Sequence, residues 1–235
     1  MSFFERPPVT LYLVRHGQSA ANVDKNVYRT TADHAIDLTD LGLQQGREAG
    51  QFLQGELTRA NKKTIILRSP YARARQTEAV VAEALGDRAV ERVELVEMAE
   101  QQLGLFDGVP DAERAAHFPD EYQRFMLQHE FSGAFWARPP QGESPYDVYK
   151  RANTVTGFVK FASRRMDIDA FVLVGHANWM QCFAMAWCNQ PFEWYKTSPL
   201  LKNAEILKIE GQTLTGVVFG PAQSTAEAPH APVQQ

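Results

Sequence analysis

Residues 11–22 read Leu11-Tyr12-Leu13-Val14-Arg15-His16-Gly17-Gln18-Ser19-Ala20-Ala21-Asn22. The apolar run over residues 9–14 is β-branched and aromatic, which predicts a buried strand. It stops abruptly on a cation, an imidazole and a glycine. Polar chemistry at the C-terminal end of a buried strand is where open α/β sheets place their ligand sites. Gly17 permits a sharp turn and a close approach of backbone to a ligand.

The pattern recurs along the chain. Residues 170–174 form a second apolar run, ending on Gly175-His176, and residues 64–67 a third, ending on Arg68-Ser69-Pro70. Further strands are expected at 90–96, 204–209 and 213–219, the last two as a hairpin turning at 210–212. A short turn or helix is expected near 19–23. Helices are predicted from Thr39, as N-cap, to about 57, and over 70–85 with Pro70 in the first turn. Others fall at 111–130 with uneven periodicity, 144–165 opened by Ser144, 178–188 and, briefly, 192–196. Strands alternating with helices make an α/β protein with a mostly parallel sheet. If the strands ending on His16 and His176 are neighbours, both imidazoles meet at one sheet edge.

The chain has 235 residues, 44% of them hydrophobic, enough for one large domain over residues 1–220. Residues 97–142 read as a lid-like insertion. Residues 221–235 are rich in Pro, Ala, Ser, Gln and Glu, and read as a disordered tail. A net charge of -4 argues against a nucleic-acid surface. Cys182 and Cys188 lie six apart in one predicted helix, on different faces, and fit neither a mutual disulfide nor a metal site. The first eight residues lack the apolar core of a secretory signal, and no stretch is long enough to span a membrane. The expectation is a soluble, cytoplasmic protein without membrane insertion; the sequence leaves its oligomeric state open.

Leu13-Val14-Arg15-His16-Gly17-Gln18-Ser19-x-x-Asn22 resembles the signature of the histidine phosphatase superfamily, the phosphoglycerate-mutase-like family. The resemblance continues through 22–28, 31–39 and Gln141-Gly142-Glu143-Ser144, and covers residues 9–210. These extra segments resemble a subgroup described only as phosphoglycerate mutase-like. The resemblance implies a three-layer α/β/α sandwich.

It also implies a set of roles that the chemistry supports. A transferring phosphoryl group carries charge on its equatorial oxygens, and guanidinium binds two such oxygens at once. Arg15 is one candidate. Arg73 is the second, matching the arginine of the family's Ser-Pro-x-x-Arg-Ala-x-x-Thr motif. Arg75 lies off-register, and Asn22 adds a neutral donor. Imidazole can be neutral and nucleophilic near pH 7, and neighbouring cations hold it neutral. His16 matches the family's nucleophile, and His176 would donate a hydrogen bond to the phosphoryl oxygens; on chemistry alone His176 is a rival nucleophile.

The leaving alkoxide needs a proton. Glu100, four residues before Gly104 and eight before Gly108, matches the family's proton donor, with Glu94, Glu97 and Asp107 as rivals. Leu105-Phe106-Asp107 replaces the family's more usual Asp-Trp-Glu. Gly17, His34 and Tyr28 are candidates for the substrate side of the pocket, and Glu143 for contact with the pocket arginines. No metal-ligand spacing and no Gly-x-x-x-x-Gly-Lys loop occurs, so no cofactor is expected.

The expected activity is hydrolysis of a small organic phosphate ester through a phosphohistidine. The alternatives are a phosphoglycerate mutase and a non-catalytic phosphate-binding module. The aromatic residues of 97–142 are expected to form a partly apolar access path, which favours a phosphatase.

Overall fold

The computed structural model describes residues 9–166, 168 and 170–221. The expected tail therefore lies, apart from Pro221, outside the described residues. In chain order the elements are β1 (Thr10–Arg15), α1 (Ala20–Val23), α2 (Asp40–Arg59), β2 (Thr64–Arg68), α3 (Ala72–Leu85) and β3 (Ala89–Glu94). Then come α4 (Asp111–His117), α5 (Pro119–Ser132), α6 (Pro145–Arg165), β4 (Ala170–Gly175), α7 (Ala177–Trp187), α8 (Trp194–Thr197), β5 (Ile206–Glu210) and β6 (Thr213–Phe219). The strands form one six-stranded sheet in the order β3-β2-β4-β1-β5-β6. The pairs from β3 to β1 are parallel, β5 pairs antiparallel with β1, and β6 pairs antiparallel with β5.

Strand alternation sorts the core into two layers. Leu11 and Leu13 of β1 pack with Phe171 and Leu173 of β4 against Val148, Val155 and Val159 of α6 and Trp179 and Phe183 of α7. Tyr12 and Val14 pack on the other face, with Val172 and Val174, against Leu53 and Leu57 of α2 and Val81 of α3. Both faces of the central strands are covered, which is why β1 and β4 are apolar throughout rather than alternating. Each such side chain, fully buried, contributes about 1.5–3 kcal/mol. This is the expected three-layer arrangement.

Several element boundaries differ from the sequence expectation: β3 ends at Glu94 rather than 96 and α8 is Trp194–Thr197 rather than 192–196, and three further differences have a local cause. Pro119 breaks the helix predicted over 111–130 in two: Phe118 before it takes φ -137°, ψ 63°, because a proline ring disfavours helical backbone at the preceding residue. Pro70 precedes α3 rather than opening it, and Tyr71 is the N-cap. β5 begins at Ile206, because Ala204 has φ 54° and turns the chain so that its N–H reaches the His16 carbonyl, 3.1 Å. The expected caps are formed. Thr39 Oγ1 accepts from the Gly42 N–H at 3.1 Å, and Ser144 exchanges capping hydrogen bonds with Asp147.

The excursion between β3 and α6 is closed at its base. The Leu105 N–H donates to the Pro140 carbonyl (3.0 Å) and the Glu143 N–H to the Gln102 carbonyl (2.8 Å). Gly104, at φ +62°, lies so close to this return segment that a Cβ would stand 2.2 Å from the Pro140 oxygen. Only glycine fits there. Among the described residues, no helix is long and apolar enough to cross a membrane. Cys182 and Cys188 are both free and buried.

Candidate active site

β1 and β4 are adjacent and in register, with Arg15 opposite Gly175. The His16 N–H extends the pairing by one step, donating to the Gly175 carbonyl at 2.9 Å. Each strand then delivers its histidine at the same height, and the two rings stand 5.3 Å apart, edge to face. A cavity of about 460 Å³ opens at this edge, with Arg15, His16, Asn22, Arg73 and Glu100 in its lining.

His16 is buried, and its Nδ1–H donates to the Gly17 carbonyl at 2.7 Å. A carbonyl only accepts, so this bond fixes the tautomer and leaves the lone pair on Nε2. Burial first, then Arg73 and Arg15, hold the imidazole well below its ordinary pKa. The neutral form is thus favoured, with its lone pair at Nε2.

His176 is also buried, its ring beside that of His16, and it is not among the residues that line the cavity. Its Nε2 meets Ser69 Oγ at 2.8 Å, and the Tyr71 N–H donates to the same oxygen at 3.3 Å. Its Nδ1 is buried with no hydrogen-bond partner among the described residues. Burial, then Arg73 and His16, keep it neutral as well.

Asn22 is oriented by what meets its oxygen. Oδ1 accepts from the Ser19 N–H (2.9 Å), Ser19 Oγ (2.9 Å) and Asn203 Nδ2 (3.1 Å). The amide nitrogen is then the end left to donate into the cavity. Asn203 is fully buried and also donates to the carbonyls of His16 and Gly17, 3.2 Å each. Nothing in Lys202-Asn203-Ala204 marks it in the sequence; it was not foreseen.

Gly17 does not line the cavity. A Cβ there would stand 2.2 Å from the Gly42 carbonyl oxygen. Its constraint comes from the first turn of α2, not from a ligand. Its N–H donates to Thr77 Oγ1 at 3.0 Å, and that hydroxyl donates on to the Arg73 carbonyl at 2.8 Å. His34 is also absent from the wall, being exposed on a short turn with its ring 6.4 Å from that of Tyr71. Tyr28 of the same loop does line the cavity.

Glu100 sits in a loop, its Oε1 accepting from the Gln101 N–H at 2.9 Å. Burial pushes its carboxyl up, against the pull of Arg73 and Arg15. Of the rival acids, Glu97 does not line the cavity and the other two are otherwise engaged. Glu94 pairs with Arg75 and Arg68, which also takes Arg75 out of the site. Asp107 lines the cavity, but its oxygens accept from the N–H groups of Leu103 and Gly104, 3.1 and 3.0 Å. Glu143 does not reach the pocket arginines. It forms a two-pronged pair with Arg151, 2.9 Å on each prong.

The aromatic access path is corrected by the packing. Of the aromatic residues expected to form it, Phe106 is in the cavity wall. Phe118, Tyr122 and Phe125 back it at 5.6–6.2 Å between ring centroids. Phe135 and Trp136 pack on Tyr146 instead, and Phe131 is exposed. Aromatic composition alone does not separate a wall from its backing.

The site is thus the edge of a mostly parallel α/β sheet carrying a cation and an imidazole, with a second imidazole beside it and a carboxyl in the lining of the same cavity. The chain belongs to the histidine phosphatase superfamily (branch 1), whose model matches residues 11–218. It is 34% identical over 219 residues to the phosphoglycerate mutase-like protein AT74 of Arabidopsis thaliana, a match covering 86% of this chain and 65% of that protein. The chain thus spans just under two thirds of that relative's length. It is 26% identical over 176 residues to a 2,3-bisphosphoglycerate-dependent phosphoglycerate mutase of Methylorubrum populi, covering 74% of this chain and 77% of the mutase. Among solved structures, a mycobacterial glucosyl-3-phosphoglycerate phosphatase superimposes with a TM-score of 0.66 at 24% identity, covering 85% of this chain and 92% of that one.

Proposed function

We propose that the protein is a phosphomonoesterase acting on a small organic phosphate through a phosphohistidine on His16. The carrying observation is a single one. The tautomer-fixed His16 shares a cavity with Arg15, Arg73 and a carboxyl, Glu100, whose proton affinity is raised.

His16 Nε2 attacks phosphorus as the ester P–O bond breaks, and the departing alkoxide takes the Glu100 proton. Arg15, Arg73 and the Asn22 amide hold the equatorial oxygens, and the Nδ1–H of His176, unpartnered among the described residues, is available to one of them. Water then attacks the phosphohistidine, gives its proton to the Glu100 carboxylate, and releases neutral His16 with inorganic phosphate.

Hydrolysis requires room for water beside the phosphoryl group. The cavity, about 460 Å³ with Lys25, Asp107 and Asp111 exposed at its rim, provides it. Leu103, Phe106, Val109, Pro110 and Leu200 line part of the wall, which fits a substrate with some apolar surface. The free, buried thiols of Cys182 and Cys188 fit a reducing compartment, the cytoplasm.

The test is phosphate release across a panel of phosphomonoesters, with His16→Ala as control. Interconversion of phosphoglycerates in the presence of 2,3-bisphosphoglycerate is measured alongside. Release that vanishes in the variant is the expected result. Rapid interconversion with little release would make the protein a mutase, and silence in both with no trappable phosphohistidine would make it a binding module.

A further inference from the structure

Glu100 belongs to neither strand nor helix. It lies between short turns at Val96–Met98 and Gly104–Phe106, so the carbonyls of its segment find no partners in a ladder. Side chains from outside the loop collect them: Trp179 Nε1 donates to the Glu97 carbonyl at 2.7 Å, and a single guanidinium takes three carbonyls. Arg151 of α6 donates from Nη1 to the carbonyls of Glu97 (2.8 Å) and Ala99 (2.6 Å), and from Nη2 to that of Glu100 itself (3.1 Å). Its Nε and Nη2 hold the two oxygens of Glu143. All five N–H donors of the guanidinium are thus engaged.

Glu143 closes the frame. Its Oε2 accepts from the Gln102 N–H at 3.1 Å, and its carbonyl from Gln101 Nε2 at 2.6 Å. Three consecutive residues, Glu100 to Gln102, are therefore gripped from one rigid helix and its entry.

We infer that Arg151 is the positioning residue for the proton donor, aiming the Glu100 carboxyl by fixing its backbone while touching neither substrate nor phosphoryl group. The inference rests on the reading of Glu100 as the acid. A planar fork spans these acceptors, whereas an ammonium with three donors at one point does not. Loss of Arg151 therefore misplaces the acid without disturbing His16, Arg15 or Arg73.

Leaving-group dependence tests this. Turnover of an aryl phosphate hardly needs a proton donor; turnover of an alkyl phosphate does. Arg151→Met and Arg151→Lys are compared with wild type and Glu100→Gln on 4-nitrophenyl phosphate and on the best alkyl ester of the panel. Both Arg151 variants are expected to lose on the order of 10²-fold in kcat/KM on the alkyl ester, near the lower end of a general acid's contribution, and less than about threefold in kcat/KM on the aryl ester. The ratio kcat/KM reports only as far as phosphorylation of His16, so the shared hydrolysis step, which also uses Glu100, does not enter. The aryl activity reports in the same sample that the protein is folded. Equal losses on both esters, or no loss on either, would overturn the inference. If Glu100→Gln shows the leaving-group signature and the Arg151 variants do not, the clamp alone falls. If Glu100→Gln keeps full alkyl turnover, the acid assignment falls and the clamp with it.

Discussion

Asp33 and Arg73 are joined along one edge of the guanidinium. Arg73 Nη1 donates to Asp33 Oδ1 at 2.8 Å and to the Asp33 carbonyl at 2.6 Å, while Nη2 reaches Oδ2 at 3.4 Å. The plane of the guanidinium is fixed, and Nε–H with one N–H of Nη2 is left for a phosphoryl oxygen. The same carboxylate is a negative charge beside the site of an anion. Asp33→Asn keeps an acceptor and removes that charge. Inorganic phosphate is expected to inhibit the variant at roughly 3–10-fold lower concentration, the size of one unit charge several Å away near a surface. Product-inhibition kinetics measure this; unchanged or weaker inhibition would contradict it.

The pH profile follows from two shifted groups. His16 must be neutral, and burial with Arg73 and Arg15 holds it well below its usual range. Glu100 must carry a proton, and burial pushes it up. Under the proposed mechanism, kcat/KM on an alkyl phosphate rises as pH climbs through the His16 value and falls as pH climbs through the Glu100 value. On an aryl phosphate, which hardly needs a proton donor, the wild-type profile is expected to keep the acid limb and lose the alkaline one. An alkaline limb of equal size on both esters would assign it to another group.

Both histidines also tie stability to pH. His16 and His176 are lowered by burial, so the unfolded chain takes up protons near pH 6.5 that the native state refuses. Stability from this source is complete above that pH and declines below it, by roughly 2.7 kcal/mol per pH unit for two groups. Glu100, shifted upward, opposes the decline near its own range. Urea midpoints between pH 7.5 and 5.5 are expected to fall about half as steeply in His176→Gln as in wild type. Equal slopes would mean that His176 is not the buried neutral base seen here.

Gly17 and Gly42 face each other without side chains. A Cβ on Gly42 would meet the Gln18 oxygen at 2.0 Å, matching the close contact on the Gly17 side. Both obstacles are backbone, so neither can swing aside. Gly17→Ala is expected to lower unfolding free energy by about 1–3 kcal/mol or more, as overpacking does. Denaturant melts of the alanine variant check this, and a wild-type midpoint would refute it.

Much of this arrangement was legible because it is written locally. Two apolar runs ending on His16 and His176 predict strands, and their pairing needs only that the strands be neighbours. Thr39 and Ser144 cap helices through residues three positions on, within reach of a sequence pattern. Asn203 and Arg151 were not legible, for a shared reason. Each acts on backbone carbonyls far away in the chain, Asn203 on His16 and Gly17, Arg151 on Glu97 to Glu100. A carbonyl has no residue type, so such a partner leaves no mark in the sequence. Asp33 escaped for another reason: its target, Arg73, reads from the sequence as a phosphate ligand, which hides a protein partner. His34, its neighbour, was the more conspicuous choice and stands outside the wall.

The stem formed where residues 102–105 meet 140–143 divides labour within the molecule. Glu100 lies on the body side of that stem, fastened to α6, while Phe106, Val109, Pro110 and Arg114 lie beyond it, in a segment that leaves and returns through the same narrow neck. Under the proposed mechanism, shape selection and proton delivery sit in separate parts of the chain. The stretch from 106 to 139 is then an exchangeable cassette: another relative's segment, grafted between Gly104 and Gly142, would bring a new substrate preference to an unmoved proton donor.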